Sequence, residues 1–295
     1  MTKMKITDFS SGQIDTNINL APSNSVGLMQ NMEADIEIGS AVSRLGTELV
    51  GSQIVNDKPL LGLHQHIDTV TPANNKLFGV VSDGTNSDIY IVGGAKSLED
   101  DTKDLKTRFL TFLGATLRLN GTDDEKSYTS AGWIATGGAF DLANIPGSNK
   151  NKYPIEFLDR VYLAGDTANP TRLYYSGVSD GSAVSFTSDN GYVDIEPEDK
   201  GGAITGLGKV PGYILIFKER SMHRWNFNSA FPESLIQIGT PSHESIIMGG
   251  GLCAFYSNSN EGARGFYITN GSRPVCISQD NNRPINKWVD AIASG

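Results

Sequence analysis

Between Leu60 and Ile277 the chain repeats one pattern about five times: a bulky apolar strand, a tight turn of small or polar residues, a second apolar strand, and a Gly-rich gap. The first unit holds Leu60-Leu61-Gly62-Leu63, Lys76 to Val81, Asp83-Gly84, and Ile89 to Val92 before Gly93-Gly94. The second has Phe109 to Leu113, Thr116 to Leu119, Asn120-Gly121 and Trp133. The third carries Phe157 to Gly165, read as one strand, then Arg172 to Ser176. In the fourth, Ile204 to Leu207 leads to Tyr213 to Lys218 and then Met222 to Trp225. The fifth has Leu252 to Tyr256, Gly265 to Thr269, Asn270-Gly271 and Pro274 to Ile277.

Tyr213 to Phe217 is apolar at every position, so a strand made from it must be covered on both faces. Stacked small sheets provide that cover, and the irregular spacing is roughly the ~40 to 50 residues of a propeller blade. The expectation is therefore an all-β chain whose residues 47–295 form a β-propeller with about five blade-like repeats, with residues 1–46 as an extended arm crossing the propeller or clasping a neighbour. Asn120-Gly121, Asn190-Gly191 and Asn270-Gly271 read as tight hairpin turns, because Gly carries no Cβ and Asn tolerates positive φ. One helix is expected, at the C-terminus: Pro284 can open it, and Ile285, Trp288, Val289 and Ile292 fall on one face.

Charge narrows the function. With 33 acidic against 24 basic residues the net charge is -9, a poor balance for gripping a phosphate backbone, whose counterions must be replaced by Lys and Arg. Such a surface still suits a conduit past which DNA slides. Met1 to Lys5 is followed by polar sequence and not by an apolar signal core, and no stretch approaches the ~18 apolar residues of a membrane helix, so neither secretion nor membrane insertion is expected. Cys253 and Cys276, the two cysteines, read as buried free thiols with a cross-strand bridge as the alternative.

His64, His66 and Asp68 stand at i, i+2 and i+4, an acceptable metal geometry on a strand, but lack further His or Cys support and read as surface-facing structural residues. The acidic clusters Glu99-Asp100-Asp101, Asp123-Asp124-Glu125 and Glu196-Pro197-Glu198-Asp199 lack the spacing of a calcium loop and read as solvated loop charge. Thr187 to Tyr192 is similar to the Asp-box turn of sialidase propellers, itself a turn fixture. Lys218 to Trp225 interleaves basic and aromatic residues and reads as strand, turn, strand. Asn120-Gly121-Thr122 and Asn270-Gly271-Ser272 satisfy the glycosylation sequon but are explained by turn chemistry. No hydrolase elbow, phosphate loop or dinucleotide fingerprint is present, and no catalytic residue, cofactor or metal is expected.

The arm supplies a resemblance. Asp8 to Asn17, with Gly12 and Asn17, then Met29-Gln30-Asn31-Met32-Glu33, then Ile36 to Gly46, with Gly39, Arg44 and Gly46, run in the order seen at the start of β-propeller nozzle and hub proteins of short-tailed bacteriophage tails. Phe112 to Tyr128, centred on Arg118-Leu119-Asn120-Gly121-Thr122-Asp123, is similar to that family's strand and turn. So are Arg172 to Gly177, Phe186 to Ser188, Gly191 to Ile195, Ile204 to Trp225, and Gly265 to Gly271 followed by Val275 to Ser278. The order of these segments carries the likeness, since no single motif is specific. Two departures stand out: Ser11-Gly12 replaces Gly-Gly, and family members continue with further blades after the strand pair matched by Phe266 to Ile277.

The resemblance implies a structural virion protein of the phage tail, assembled in the host cytoplasm. It would form a homo-oligomeric ring, sixfold in the family, bound to the portal or adaptor and to other tail proteins. DNA would pass through the lumen without specific binding, so that the ring retains and releases the genome. It also implies a propeller that is either short, closed by another chain, or part of a longer one, with Gly12, Asn17, Asn31, Gly39, Arg44 and Gly46 as structural or assembly residues. Two alternatives stay open: a carbohydrate-binding or glycoside-hydrolysing propeller, and a protein-interaction propeller.

Overall fold

Dense apolar runs in the second strand of each unit decide the architecture, because they demand a neighbour on either side. The computed structural model describes residues 58–278 except 69–70, 83, 85, 93, 95, 99–104, 136–138, 147–149, 197–200, 230 and 259–263. It also describes the backbone of two short strands, Met32–Ala34 (β1) and Ala41–Ser43 (β2), which pair antiparallel. Among the described residues there is no α-helix, only short 3-10 turns. The expected helix at Pro284 to Ile292 and the arm residues Gly12, Asn17, Asn31, Gly39, Arg44 and Gly46 lie outside them.

Five four-stranded sheets follow in chain order, each an antiparallel meander. The first comprises Leu60–His66 (β3), Lys76–Ser82 (β4), Ser87–Ile91 (β5) and Lys96–Leu98 (β6). The second is Arg108–Phe112 (β7), Ala115–Leu119 (β8), Lys126–Thr129 (β9) and Gly132–Ile134 (β10). Tyr153–Phe157 (β11), Arg160–Ala164 (β12), Arg172–Tyr175 (β13) and Gly191–Asp194 (β14) make the third. The fourth holds Ile204–Val210 (β15), Tyr213–Lys218 (β16), Met222–Trp225 (β17) and Glu233–Ile236 (β18). Ile247–Gly249 (β19), Leu252–Ser257 (β20), Gly265–Thr269 (β21) and Val275–Cys276 (β22) form the fifth. First strands meet in sequence, β3 with β7, β7 with β11, β11 with β15 and β15 with β19, so they surround a common axis. This is a β-propeller, and its five sheets are the five units of the sequence.

Ile214, Leu215, Ile216 and Phe217 are each no more than 1% exposed. The period of two in a strand sends Ile214 and Ile216 into a cluster with Tyr162 and Leu173 of the third blade, and Leu215 and Phe217 into one with Cys253, Phe255 and Tyr267 of the fifth. β12 divides its residues the same way: Val161 and Leu163 face Leu117 and Leu119, whereas Tyr162 and Ala164 face the fourth blade. Each buried Val, Leu, Ile or Phe among them contributes about 2 kcal/mol by leaving water.

Several turns differ from expectation. The stretch from Phe157 to Gly165 is two strands, split by Leu158-Asp159 at φ 49° and 56°. That two-residue turn has the paired positive φ of a type I′ hairpin without a glycine, held by the register of β11 on β12. Asn190-Gly191 is no hairpin turn: Gly191 opens β14. Asn120 and Asn270 begin longer loops, in which their side-chain oxygens accept from the backbone N–H of Thr122 and Asp123 (3.0 and 2.9 Å) and of Ser272 (3.1 Å). Cys253 is buried as expected, Cys276 is half-buried, and both are free thiols.

Candidate functional site

After β18 the chain runs toward the axis before it enters the fifth blade. Thr240 N–H donates to Lys218 O at 3.0 Å, and the hydroxyls of Thr240 and Ser245 meet at 2.7 Å, closing a 3-10 turn over His243–Ser245. The turn puts His243 and Glu244 against the inner strands of the other blades. The His243 ring lies 5.2 Å from that of Tyr153 on β11. Arg108, the first residue of β7, donates to the Glu244 carboxylate, and its guanidinium sits 4.8 Å over the Tyr153 ring. Lys106 Nζ is 3.9 Å from the same carboxylate. On β15, Gly206 makes the approach possible, because a Cβ there would stand 2.4 Å from Ile246 Cδ1 and 2.9 Å from His243 Nδ1.

Lys106, Arg108, His243 and Glu244 line a hollow of about 410 Å³ with Leu60, Leu63 and His64 of β3. Burial alone would raise the Glu244 carboxyl, but the Ser242 hydroxyl and the Arg108 charge outweigh it and hold it at about 2. Burial, helped by Arg108, lowers His243 to about 4, and burial with the neighbouring His66 lowers His64 to about 4. At neutral pH the hollow therefore carries two cations, one anion and two uncharged imidazoles. The His243 Nδ1 and Arg108 Nε atoms are buried without a hydrogen-bond partner. With Glu244 engaged by Ser242 and Arg108, the arrangement works as an axial pin that ties the linker between the fourth and fifth blades to the second and third. Sequence reasoning missed it, since Arg108, Tyr153 and His243 are brought together only by the fold.

The sequence-predicted residues land elsewhere. His64 and His66 are not surface-facing. His64 stacks on Phe109 at 5.2 Å and shares a 2.7 Å hydrogen bond with Thr111, while His66 is fully buried, bonded to Thr116 at 2.8 Å and edge-on to Tyr128. Both occupy the strand face that packs on the second blade. Asp68 lies past the end of β3 and accepts from Thr71 N–H and Asn74 Nδ2, each at 2.9 Å. Among the described residues no three His, Cys, Asp or Glu side chains come together as a metal site.

The Asp123-Asp124-Glu125 cluster corrects another expectation, because Asp123 and Glu125 are 8% and 3% exposed. Arg118 on β8 is the cause. A guanidinium with no exposed surface requires carboxylate and carbonyl acceptors, here Asp123 Oδ2 at 3.4 Å and Asp124 O at 3.0 Å. Glu125 Oε1 accepts from the backbone and side chain of Asn151 at 3.0 and 3.2 Å. Burial lifts its carboxyl to about 7 against those hydrogen bonds. Glu99-Asp100-Asp101 and Pro197-Glu198-Asp199 lie outside the described residues.

In the Asp-box-like turn, Asp189 accepts from Arg160 Nη2 at 2.5 Å, and Arg160 Nη1 also donates to Ser176 O and Asp189 O at 2.6 and 2.7 Å. Arg160 is thereby the bracket of the 177–190 loop, a fixture as expected. Lys218 to Trp225 is strand, turn and strand, with Lys218 fully buried and donating to Ile195 O and Glu196 O at 3.0 Å each. Asn120, at 2% exposed, is inaccessible as a sequon.

No protein-family model matches the chain, and no curated protein does. Solved structures do resemble it. The Neurospora crassa Pan2 WD40 domain aligns at 10% identity over 76% of this chain and 69% of its own, with a TM-score of 0.44. The AfRom2 CNH domain aligns at 10% identity over 78% and 76%, TM-score 0.46. YCF48 from Cyanidioschyzon merolae aligns at 11% identity over 72% of each, TM-score 0.37. The fold assignment stands on the strand order described above, and not on these distant likenesses.

Proposed function

We propose that the chain is a structural, non-catalytic propeller of a short-tailed bacteriophage tail, one subunit of a nozzle or hub ring bound to the portal or adaptor and to other tail proteins. The observation that carries this reading is the order of family-like segments, from Gly12 and Asn17 through Gly39, Arg44 and Gly46 to Arg118-Leu119-Asn120-Gly121 and Gly265 to Gly271. The physical character of the molecule supports it. Polar groups suited to chemistry are spent on holding loops: Arg118 on Asp123, Arg160 on Asp189 and Glu125 on Asn151. The axial pin occupies one end of the propeller's own axis, so DNA passage belongs to the opening enclosed by the ring of subunits. A net charge of -9 suits a wall along which a duplex slides without adhering.

Native mass spectrometry and negative-stain microscopy of the purified full chain test the reading, together with proteomics of virions. Sixfold rings and presence in tails are expected. A monomer at every concentration, absent from virions, would refute it.

One observation favours a second reading, a protein-interaction propeller. A hollow of about 400 Å³ near the inner hairpin turns is lined by Phe157, Val210, Pro211, Met248 and Leu252, beside Leu158, which is 56% exposed. Saturable peptide binding by a monomer, lost in Leu158→Ser, would favour it. Glycoside hydrolysis has less behind it. Around the polar hollow near the 177–190 loop, Asp141 and Asp180 accept backbone N–H bonds from Phe186 (3.1 Å) and from Ser182 and Ala183 (2.8 Å each), which spends both carboxylates on loop geometry.

A further inference from the structure

Two histidines of the first blade meet two threonines of the second. The period of two in β3 sets His64 and His66 on one face, and the β7–β8 hairpin places Thr111 directly opposite Thr116. His64 Nε2 lies 2.7 Å from the Thr111 hydroxyl, that hydroxyl lies 2.6 Å from Thr116 Oγ1, and Thr116 Oγ1 lies 2.8 Å from His66 Nδ1. The four groups form one unbroken chain of three hydrogen bonds across the interface. His64 is half-buried and borders the axial hollow, whereas Thr116 and His66 are fully buried, and His66 Nε2 has no hydrogen-bond partner. Lys76 stands beside His66 in the register and Asp68 beyond the end of β3, and their opposite charges act on His66 in opposite senses. Arg118, on the strand face of Thr116, is committed to Asp123 and Asp124 O, and Tyr128 of β9 is edge-on to His66. Lys106, Arg108, His243 and Glu244 surround the hollow at the His64 end.

Counting protons gives the chain of bonds a property that neither histidine has alone. Each hydroxyl supplies one proton and three bonds need three, so one of the two facing ring nitrogens donates and the other accepts. If His64 Nε2–H donates, the hydroxyls follow and His66 Nδ1 accepts; if His66 Nδ1–H donates, every bond reverses. Both rings carry their proton on Nε2 in the first case and on Nδ1 in the second. We propose that this chain is a one-proton latch between the first and second blades: it holds both imidazoles in the same tautomer, accepts a single proton, and loosens the first blade when a second proton arrives. One imidazolium fits, because it donates while its partner accepts. Two would supply four donors for three bonds and leave a buried hydroxyl proton without an acceptor. They would also set two positive charges about 7 Å apart, two residues along one strand. Burial already holds His64 at about 4 and His66 below its ordinary value. His64 thus stays uncharged in the folded blade and takes a proton on opening, so this blade's stability is full above pH 6.5 and falls as pH drops toward 4. This inference is independent of the tail reading.

NMR of the full chain with isotope-labelled histidine tests it, since only 4 histidines are present. At neutral pH the wild-type rings of His64 and His66 are expected to show the same tautomer, and opposite tautomers would overturn the proposal. Removing one ring redirects the chain, because the hydroxyl protons then end on the nitrogen that remains. His64 is expected to carry its proton on Nδ1 in His66→Phe, and His66 on Nε2 in His64→Phe. As the wild-type rings are alike, one of these variants has to flip the surviving ring, a change that two independent structural histidines would not show. Rings that keep their wild-type tautomer in both variants would overturn the latch; should a variant fail to fold, the wild-type comparison still decides. Acid gives a second readout, with hydrogen exchange corrected for its intrinsic pH dependence. As pH falls from neutral, the first ring to gain a proton is expected to do so while amides 78–81 of the first blade keep their protection relative to 214–217 of the fourth. Protonation of the other ring is expected to accompany at least about a tenfold loss of protection at 78–81. Two imidazolium rings with that protection undiminished would overturn the proposal.

Discussion

Glu125→Gln isolates the energetic cost of one buried carboxyl. Glu125 is 3% exposed, and burial moves its carboxyl from an ordinary 4.5 to about 7. Because the folded value lies above the unfolded one, the folded protein keeps a proton that the unfolded chain releases. Stability therefore falls as pH rises from about 4.5 to 7 and is flat above that window. Each pH unit of difference is worth about 1.4 kcal/mol, so the wild type forgoes about 3 kcal/mol at pH 8. Gln resembles the protonated acid: its oxygen still accepts from Asn151, and its amide takes the place of Oε2, which has no hydrogen-bond partner. The two proteins should match within about 1 kcal/mol at pH 5, and the variant should be the more stable by about 2 to 3 kcal/mol at pH 8. Urea unfolding followed by tryptophan fluorescence at pH 5, 6, 7 and 8 measures the difference. A difference that does not change with pH, or a wild type that is the more stable at pH 8, would refute the reasoning.

Other substitutions probe the blades and the pin. Phe217→Ala removes a fully buried ring 4.9 Å from that of Phe255 and should cost about 3 to 5 kcal/mol in thermal unfolding; a loss under about 1 kcal/mol would mean that the fourth and fifth blades do not pack as described. Arg160→Met releases the 177–190 loop from its bracket, so limited proteolysis should cut there at least about tenfold faster, and unchanged cleavage would deny Arg160 that role. In Gly206→Val the new side chain collides with Ile246 and His243; the imidazole, titrated by NMR, should return from about 4 toward 6.5, and a value still near 4 would show that the pin had not moved.

Legibility in the sequence followed burial. Strands such as β12 and β16 are covered on both faces, so nearly every residue in them is apolar and their places are plain from composition alone. Outer strands such as β18, from Glu233 to Ile236, bury little and carried no signal. Leu158-Asp159 hid a turn because strand pairing imposes positive φ on residues that do not advertise it, while Asn190-Gly191 advertised a hairpin that the chain does not use. At the candidate site the sequence showed less. His64 and His66 were legible as a strand pair, but the face they point to depends on which side the second blade packs, and Arg108 reaches Glu244 across 136 residues of chain.

The alternating loyalty of β16 has a consequence during synthesis. When Lys218 has just left the ribosome, Ile214 and Ile216 already have their partner, because the third blade is complete. Leu215 and Phe217 face a sheet whose first residue, Ile247, is not yet made. Every nascent intermediate thus ends in an oily face that only further translation can cover, so a pause at this stage leaves a sticky, half-built stack that depends on chaperones or on speed.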